Sequence, residues 1–350
     1  MGRGVRRYLF YASELYAYAI LRPLQEVIRE KGDEVAWFFE DRRRLAPFLR
    51  EDEKEIVGVR KVKEYDPRAV FVPGNLVPGF FPGVKVELFH GFSVHKRSAG
   101  KGHFRIRNCF DLYCTQGPDT TTPFRALAEK HGFFEVVETG WPKMDPLFSG
   151  KVSPYVAEKT RPVIFFASTF TPRLSAAPLL LETVSRLAAK GDWQWIVNFH
   201  PKMDPAVVEQ YKAIEGEHLT YVETDDVMPL LESADLLLSD TSSIIPEFLL
   251  CGRPAVTFRN CKPGPHLIDV TRAGEIENAI RHGLSKPAAL MEQIRIFGEK
   301  IHPYRDGRSS VRVLDATEMF VENGRVRLEP KPFNLFRNFK LRRRLRYFGP

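Results

Sequence analysis

Two histidines stand directly behind apolar runs. His90-Gly91 follows Val84-Lys-Val-Glu-Leu-Phe89, and His200-Pro201-Lys202 follows Gln194-Trp-Ile-Val-Asn198. A histidine at the carboxyl end of a parallel strand sits where open α/β sheets bind ligands. Imidazole is also the side chain best suited to move a proton near neutral pH. His90 is therefore a candidate general base, and Gly91 beside it lets a substrate approach. His200 is a candidate second catalytic residue contacting a donor phosphate, with Lys202 nearby as a charge partner. For each histidine the competing explanation is a hydrogen-bonded residue that only closes its strand.

A third constellation lies at Leu236-Leu-Leu-Ser-Asp-Thr-Ser-Ser-Ile-Ile-Pro-Glu247. A buried strand runs into a hydroxyl-rich turn and a helix start, the arrangement in which unpaired N–H groups and the helix dipole hold an anion. Ser239, Asp240, Thr241, Ser242 and Ser243 are read as the phosphate cradle, and Glu247 as an acceptor for a ribose or polyol diol. A plain helix cap is the competing explanation for the turn. Asp306-Gly-Arg-Ser-Ser310 repeats the Gly-and-hydroxyl pattern, so Arg308, Ser309 and Ser310 join the candidate phosphate ligands, with Arg305 flanking. A basic loop, His95, Lys96, Arg97 and Lys101, follows His90 and is either a solvated loop or a flap over an anion. No Asp-x-Asp pair ends a strand, so no metal site is expected.

The elements that must position these residues alternate in type. Strands are expected at 8–12, 34–39, 55–58, 69–72, 84–89 and 112–115, then at 162–167, 194–198, 219–222, 236–238 and 254–258. Helices are expected at 14–31, 122–131, 179–190, 205–215, 228–233, 275–284, 288–301 and 311–320. Strands alternating with helices imply parallel, doubly wound sheets. The Pro- and Gly-rich segment Gly140–Gly150 interrupts the rhythm, and 350 residues exceed one ordinary core. The division expected is an N-terminal Rossmann-like acceptor-side domain, 1–150, and a C-terminal Rossmann-like nucleotide-donor domain, 151–330. Two such domains facing one another make the α/β GT-B architecture, which several chemistries share.

Composition narrows the class. Four cysteines, Cys109, Cys114, Cys251 and Cys261, match neither a zinc ribbon nor a disulfide framework and are expected to be reduced thiols. No apolar run is long enough to span a bilayer and no signal-peptide core follows Met1, so a cytoplasmic protein is expected. The net charge of +8 is concentrated in the tail, 331–350. Lys331, Arg337, Lys340, Arg342, Arg343, Arg344 and Arg346 alternate there with Phe333, Leu335, Phe336, Phe339, Leu341, Leu345, Tyr347 and Phe348, without one acidic residue. Basic and aromatic residues at helical spacing suit an anionic membrane surface. No nucleic-acid recognition fold accompanies them.

Taken together, His90-Gly91, His200-Pro201, Ser239–Ser243 and Asp306–Ser310 resemble the CDP-glycerol glycerophosphotransferases of teichoic acid synthesis, in the family's order and roughly its spacing. The resemblance covers residues from about 85 to 320. Thr241 stands where the family commonly has an aromatic residue, and Phe92-Ser-Val-His95 is an unusual sequel to His-Gly. The resemblance implies a GT-B fold and transfer of glycerol phosphate, or ribitol phosphate, from a CDP-alditol to a hydroxyl of a polymer or lipid-linked acceptor, in cell-wall or capsule synthesis. His90 would be the base, His200 and Thr241-Ser242-Ser243 would bind the pyrophosphate, and Ser309 and Ser310 would assist. The CDP-alditol would be a substrate, with no separate cofactor. The enzyme would sit peripherally on the inner face of the membrane. A GT-B glycosyltransferase or a UDP-sugar 2-epimerase-like enzyme is the alternative, and a catalytically silent binding module a third.

Overall fold

The computed structural model describes residues 4–92, 104–323 and 328–349. The basic loop of His95, Lys96, Arg97 and Lys101 lies outside them. The chain forms two compact units, 1–148 with 301–350, and 149–300.

The first unit carries strands β1 (Arg7–Ala12), β2 (Glu34–Phe39), β3 (Ala69–Val72), β4 (Val84–Glu87), β5 (Leu112–Thr115) and β6 (Glu135–Glu138), in the order β2-β1-β3-β4-β5-β6. All pairings are parallel. β3 and β4 are buried along their whole length, as strands covered by helices on both faces must be. One side of the sheet packs Leu9, Tyr11, Phe38, Val70, Val72, Phe81, Phe89 and Phe124 into a continuous aromatic-rich core.

Two expectations fail here for local reasons. Residues 55–58 form no strand, only an isolated parallel bridge from Trp37 to Glu55 at the sheet edge. Gly58, at φ 89°, turns the chain at once into helix Val59–Tyr65. The strand expected through Phe89 stops at Glu87, because Phe89 takes the left-handed conformation at φ 59°.

The second unit carries β7 (Val163–Phe166), β8 (Gln194–Val197), β9 (Leu219–Tyr221), β10 (Leu236–Ser239), β11 (Ala255–Phe258) and β12 (Ile268–Val270), in the order β12-β11-β10-β7-β8-β9 and again parallel. Ile164, Phe166, Trp195, Val197, Leu236, Leu238 and Val256 fill one face under helix Ala177–Lys190. Both sheets reverse their build direction once, between β1 and β3 and between β7 and β10. Ligands of doubly wound sheets bind at the carboxyl ends of the strands flanking such a point.

The second unit ends at Lys300 rather than at 330, a correction to the expected division. Burial of Val313, Leu314, Ala316 and Phe320 returns the chain to the first unit, and charge pairs register it there. On helix Ser309–Asn323, Glu318 accepts from Tyr8 Oη at 2.7 Å and Arg68 Nε at 3.0 Å, and also pairs with Arg6. Asp315 meets Lys31 Nζ at 2.6 Å. The tail follows as helix Leu335–Arg344. Its Asn334, Arg337, Asn338 and Leu341 recur at helical spacing on the side that meets the unit. Asn334 Nδ2 donates to the carbonyls of Arg107 and Asn108 at 3.0 and 2.9 Å, Arg337 reaches the same Arg107 carbonyl, and Leu341 is buried. Arg342 lies over the Phe80 ring, and Tyr347 stacks on it.

Candidate functional site

In the second unit the candidate residues gather at the β7/β10 switch point. Asp240, following β10, is completely buried, and its carboxylate accepts from four groups. These are Ser168 Oγ at 2.5 Å, Thr169 N at 3.0 Å, Ala176 N at 3.0 Å and Thr241 N at 2.6 Å. Burial pushes its pKa above the ordinary aspartate value, and the four donors work against that rise. Ser239 is buried as well and donates to the Ala167 carbonyl at 2.6 Å. Both side chains, expected from the sequence to face a donor phosphate, are engaged by the protein's own groups, Asp240 by one hydroxyl and three main-chain N–H groups and Ser239 by a carbonyl. They bolt the loop after β7 to the turn after β10.

Their effect is to present the next residues. Thr241 Oγ1 accepts from Cys261 N at 3.1 Å, and Ser242 Oγ accepts weakly from Ile244 N at 3.5 Å. Ser243, the residue before helix Ile244–Leu250, is exposed and makes no side-chain cap. The N–H groups of Ser242 and Ser243 find no acceptor among the described residues. This leaves two main-chain donors at the positive end of a short helix, together with an exposed hydroxyl, so the turn does more than cap. Glu247 is buried in the first turn of the same helix.

His200 stands at the end of β8, exposed, with its ring against Phe170 at 4.6 Å between centroids. Its Nδ1 accepts from Lys202 N at 3.1 Å. An accepting Nδ1 has no proton, so the neutral ring carries its proton on Nε2 as a donor. Desolvation lowers its pKa first, the Lys202 charge lowers it further, and Asp225 opposes both, so the ring is neutral at pH 7. Phe170 was missed from the sequence. The available signal was an aromatic residue just beyond a strand end, and it is 39% exposed where its neighbours on β7 are buried. The Lys202 ammonium lies 5.9 Å from the same ring.

In the first unit His90 follows β4 by three residues. Its Nδ1 lies 3.3 Å from the Pro73 carbonyl, and its ring stacks on Tyr16 at 5.2 Å and 20°. A carbonyl can only accept, so here Nδ1 carries the proton and Nε2 is left as the basic nitrogen. The left-handed Phe89 aims this side chain. Its own ring packs edge-on against Phe124 at 5.0 Å, and its carbonyl accepts from Trp141 Nε1 at 3.3 Å. Among the described residues nothing lies within 4 Å of where a Gly91 Cβ would stand.

The Asp306–Ser310 turn belongs to this first unit, apart from the hydroxyl turn of the second. The helix it opens is already capped by an anion. Asp145 accepts from Ser309 N at 2.8 Å and from Ser310 N at 2.6 Å. Ser309 and Ser310, expected from the sequence to be donor phosphate ligands, are buried, with their N–H groups held by Asp145. Arg308 is exposed, and its N–H bonds Asp306 at 3.1 Å. Among the described residues no group of His, Cys, Asp and Glu is placed to hold a metal ion.

Residues 101–318 match the family model of CDP-glycerol:poly(glycerophosphate) glycerophosphotransferase. Comparison with curated protein sequences returned no match. Among solved structures, the chain is similar to the wall teichoic acid polymerase TagF with CDPG, at 14% identity and a TM-score of 0.61, covering 91% of this chain and 89% of that one. It is similar also to S. aureus MnaA with UDP, at 15% identity and a TM-score of 0.65, over 94% and 100% of the two chains. A UDP-N-acetylglucosamine 2-epimerase matches at 13% identity and a TM-score of 0.65, over 95% and 100%. At these identities the likeness is one of fold, and the fold class is α/β of the GT-B type.

Proposed function

We propose, from the premise that the chain belongs to the CDP-glycerol:poly(glycerophosphate) glycerophosphotransferase family, that it transfers an alditol phosphate from a CDP-alditol, CDP-glycerol first, to a hydroxyl of a growing polymer or lipid-linked acceptor. The observation that carries this reading is the opposite tautomeric setting of the two strand-end histidines. His90 is fixed with Nε2 as an acceptor, and His200 with Nε2–H as a donor.

In the reaction, His90 Nε2 takes the proton of the acceptor hydroxyl as its oxygen attacks the phosphorus that bears the glycerol. The bond from that phosphorus to the bridging oxygen breaks, and CMP leaves with the electron pair. His200 Nε2–H, the Ser242 and Ser243 N–H groups and the Lys202 charge stabilise the negative charge that builds on the pyrophosphate oxygens. Phosphoryl transfer asks mainly for such positioning and charge stabilisation. Thr241 ties the turn to Cys261 N, Glu247 would accept from the ribose or polyol diol, and Arg308 is an exposed cation of the first unit.

The reading is tested with a panel of nucleotide donors. CMP release from CDP-glycerol with an acceptor present, and thermal stabilisation by CDP-glycerol but not by UDP-sugars, are expected. UDP release from a sugar nucleotide, or epimerisation of one, would replace it with the glycosyltransferase or 2-epimerase reading.

The same reading places the enzyme in the cytoplasm, peripherally on the inner face of the membrane. No helix among the described residues is long and apolar enough to cross a membrane. Support comes from the outer side of helix Leu335–Arg344. Phe336 and Phe339 are 87% and 62% exposed, Phe333 just before them is 80% exposed, and Lys340 and Arg343 share that side. Replacing Phe333, Phe336 and Phe339 by Ser should abolish sedimentation with phosphatidylglycerol vesicles and leave the melting temperature unchanged. Undiminished sedimentation would remove the tail from this role.

A further inference from the structure

The carboxyl edge of the first sheet gathers groups that the reaction above does not use. At the β1/β3 switch point, Ser13 follows β1, Pro73-Gly74-Asn75 follow β3, and Tyr16 opens helix Tyr16–Glu30. Gly74 leaves room for two hydroxyls beside it. A Cβ there would lie 3.3 Å from Ser13 Oγ and 3.7 Å from Tyr16 Oη, so two hydroxyls converge over it. The Tyr16 ring, in turn, carries the His90 imidazole.

Arg107 joins this group from the segment before β5. Its Nη1 donates to Asn75 Oδ1 at 3.3 Å and to the Arg105 carbonyl at 3.1 Å. Among the described residues its Nε and Nη2 make no hydrogen bond, and no carboxylate lies within ion-pair distance. The carboxyl whose charge it feels is that of Glu87, buried at the end of β4. Burial lifts that pKa well above the usual carboxylate range, against the pull of Arg107. Burial disfavours the charged carboxylate, so Glu87 offsets the guanidinium charge less than an exposed glutamate would. A half-buried guanidinium with spare donors, held by the Asn75 amide one residue from the Gly74 hydroxyl pair, is suited to a phosphate with a polyol attached. The tail helix steadies it, since Asn334 and Arg337 both hold the Arg107 carbonyl.

We infer that Arg107, Asn75 and Tyr16 form an acceptor subsite beside His90 that binds the terminal glycerol phosphate of the acceptor, Arg107 holding its phosphate and Tyr16 its polyol. This deepens the transferase reading and rests on it. The sequence context offered no sign of it, because these residues are separated by up to 91 positions.

The test uses the full-length protein and the variants Arg107→Gln, Arg107→Lys and Asn75→Asp. Asn75→Asp supplies a carboxylate that neutralises Arg107 without removing it. Titration calorimetry reads binding of a soluble glycerol phosphate oligomer. Kinetics compare that oligomer with phosphatidylglycerol micelles and with an uncharged polyglycerol of equal length. The expected result is oligomer binding weakened about tenfold to a hundredfold in Arg107→Gln and Asn75→Asp, with partial recovery in Arg107→Lys. KM for CDP-glycerol and for the uncharged acceptor should stay as in the wild type. A preference of the wild type for oligomer over micelles identifies the polymer end as the source of the phosphate, and the reverse identifies a lipid headgroup. Equal losses for charged and uncharged acceptors, or a loss confined to the donor, would overturn the inference. The transferase reading fails separately, by absence of CMP release from CDP-glycerol in the wild type with every acceptor. Calorimetry still decides the subsite in that case.

Discussion

Replacing Asp240 by Asn tests whether the buried carboxylate organises the donor turn or touches the donor itself. In the wild type one oxygen accepts from Ser168, Thr169 and Ala176, and the other from Thr241 at 2.6 Å and from Thr169. An amide has one acceptor oxygen. In its better orientation that oxygen keeps the three-donor side, and the amide N–H₂ then faces the Thr241 N–H. Each of three retained bonds falls from charge-assisted to neutral strength, about 1 kcal/mol apiece, and one buried N–H loses its acceptor at about 1–3 kcal/mol. Burial already raises the Asp240 pKa, so removing the charge returns part of this cost. The net loss should be about 2–4 kcal/mol, or about 5–15 °C in the melting of the second unit. Urea unfolding followed by tryptophan fluorescence measures it, with calorimetric titration of CDP-glycerol alongside. Donor affinity should fall together with stability, because the loop after β7 and the turn at 241–243 lose a common anchor. A variant as stable as the wild type but weakened toward the donor would refute this reasoning and return Asp240 to direct contact with the substrate.

Other consequences follow from single groups. His90→Asn should lower kcat by about a hundredfold or more while donor affinity holds, as expected for a lost general base; an equal loss of donor affinity would contradict the assignment. Ser243 has φ −73°, which proline adopts readily. Ser243→Pro, which deletes the N–H, should therefore weaken donor binding more than Ser243→Ala, and the reverse order in a titration would assign the anion to the hydroxyl instead. His302 is fully buried, accepts from Trp141 N at 2.9 Å, and is pushed down from 6.5 to about 4 by burial. The unfolded chain binds that proton first. Stability contributed by neutral His302 is thus present above pH 6.5 and is lost as pH falls toward 4. The loss should approach about 3 kcal/mol. His302→Gln should flatten that part of the profile, and urea midpoints at pH 7 and 4.5 that shift equally in both proteins would exclude it.

Legibility differed from element to element. Strands β1, β3, β5 and β7 were readable because each is a short apolar run between turn signals, buried on both faces. The edge strands β6 and β12 were not, since they are only partly buried and Glu135, Glu138 and Asp269 interrupt their apolar character. Residues 55–58 carried a strand-like pattern, yet an edge position and Gly58 allowed one bridge. Among the site residues, the strand-end histidines and the hydroxyl turn were visible from type and position. Phe170 was marked only by its place just beyond a strand end, and Arg107 by nothing in its local sequence.

By itself the sequence determined the parallel α/β layout, both histidines at strand ends and the hydroxyl turn, since each depends on residues within about ten positions and on local periodicity. Tertiary structure alone decided how those groups are used. It turned Asp240 inward to four donors and filled the Ser309–Ser310 helix end with Asp145. It registered 301–350 against the first unit through Glu318 and Asp315, and set the two histidines in opposite tautomers through one carbonyl and one N–H. The physical reason is common to all four. A hydrogen bond or ion pair commits a polar group to whichever partner the fold brings within about 3 Å, and for three of the four that partner lies tens to hundreds of residues away in the chain.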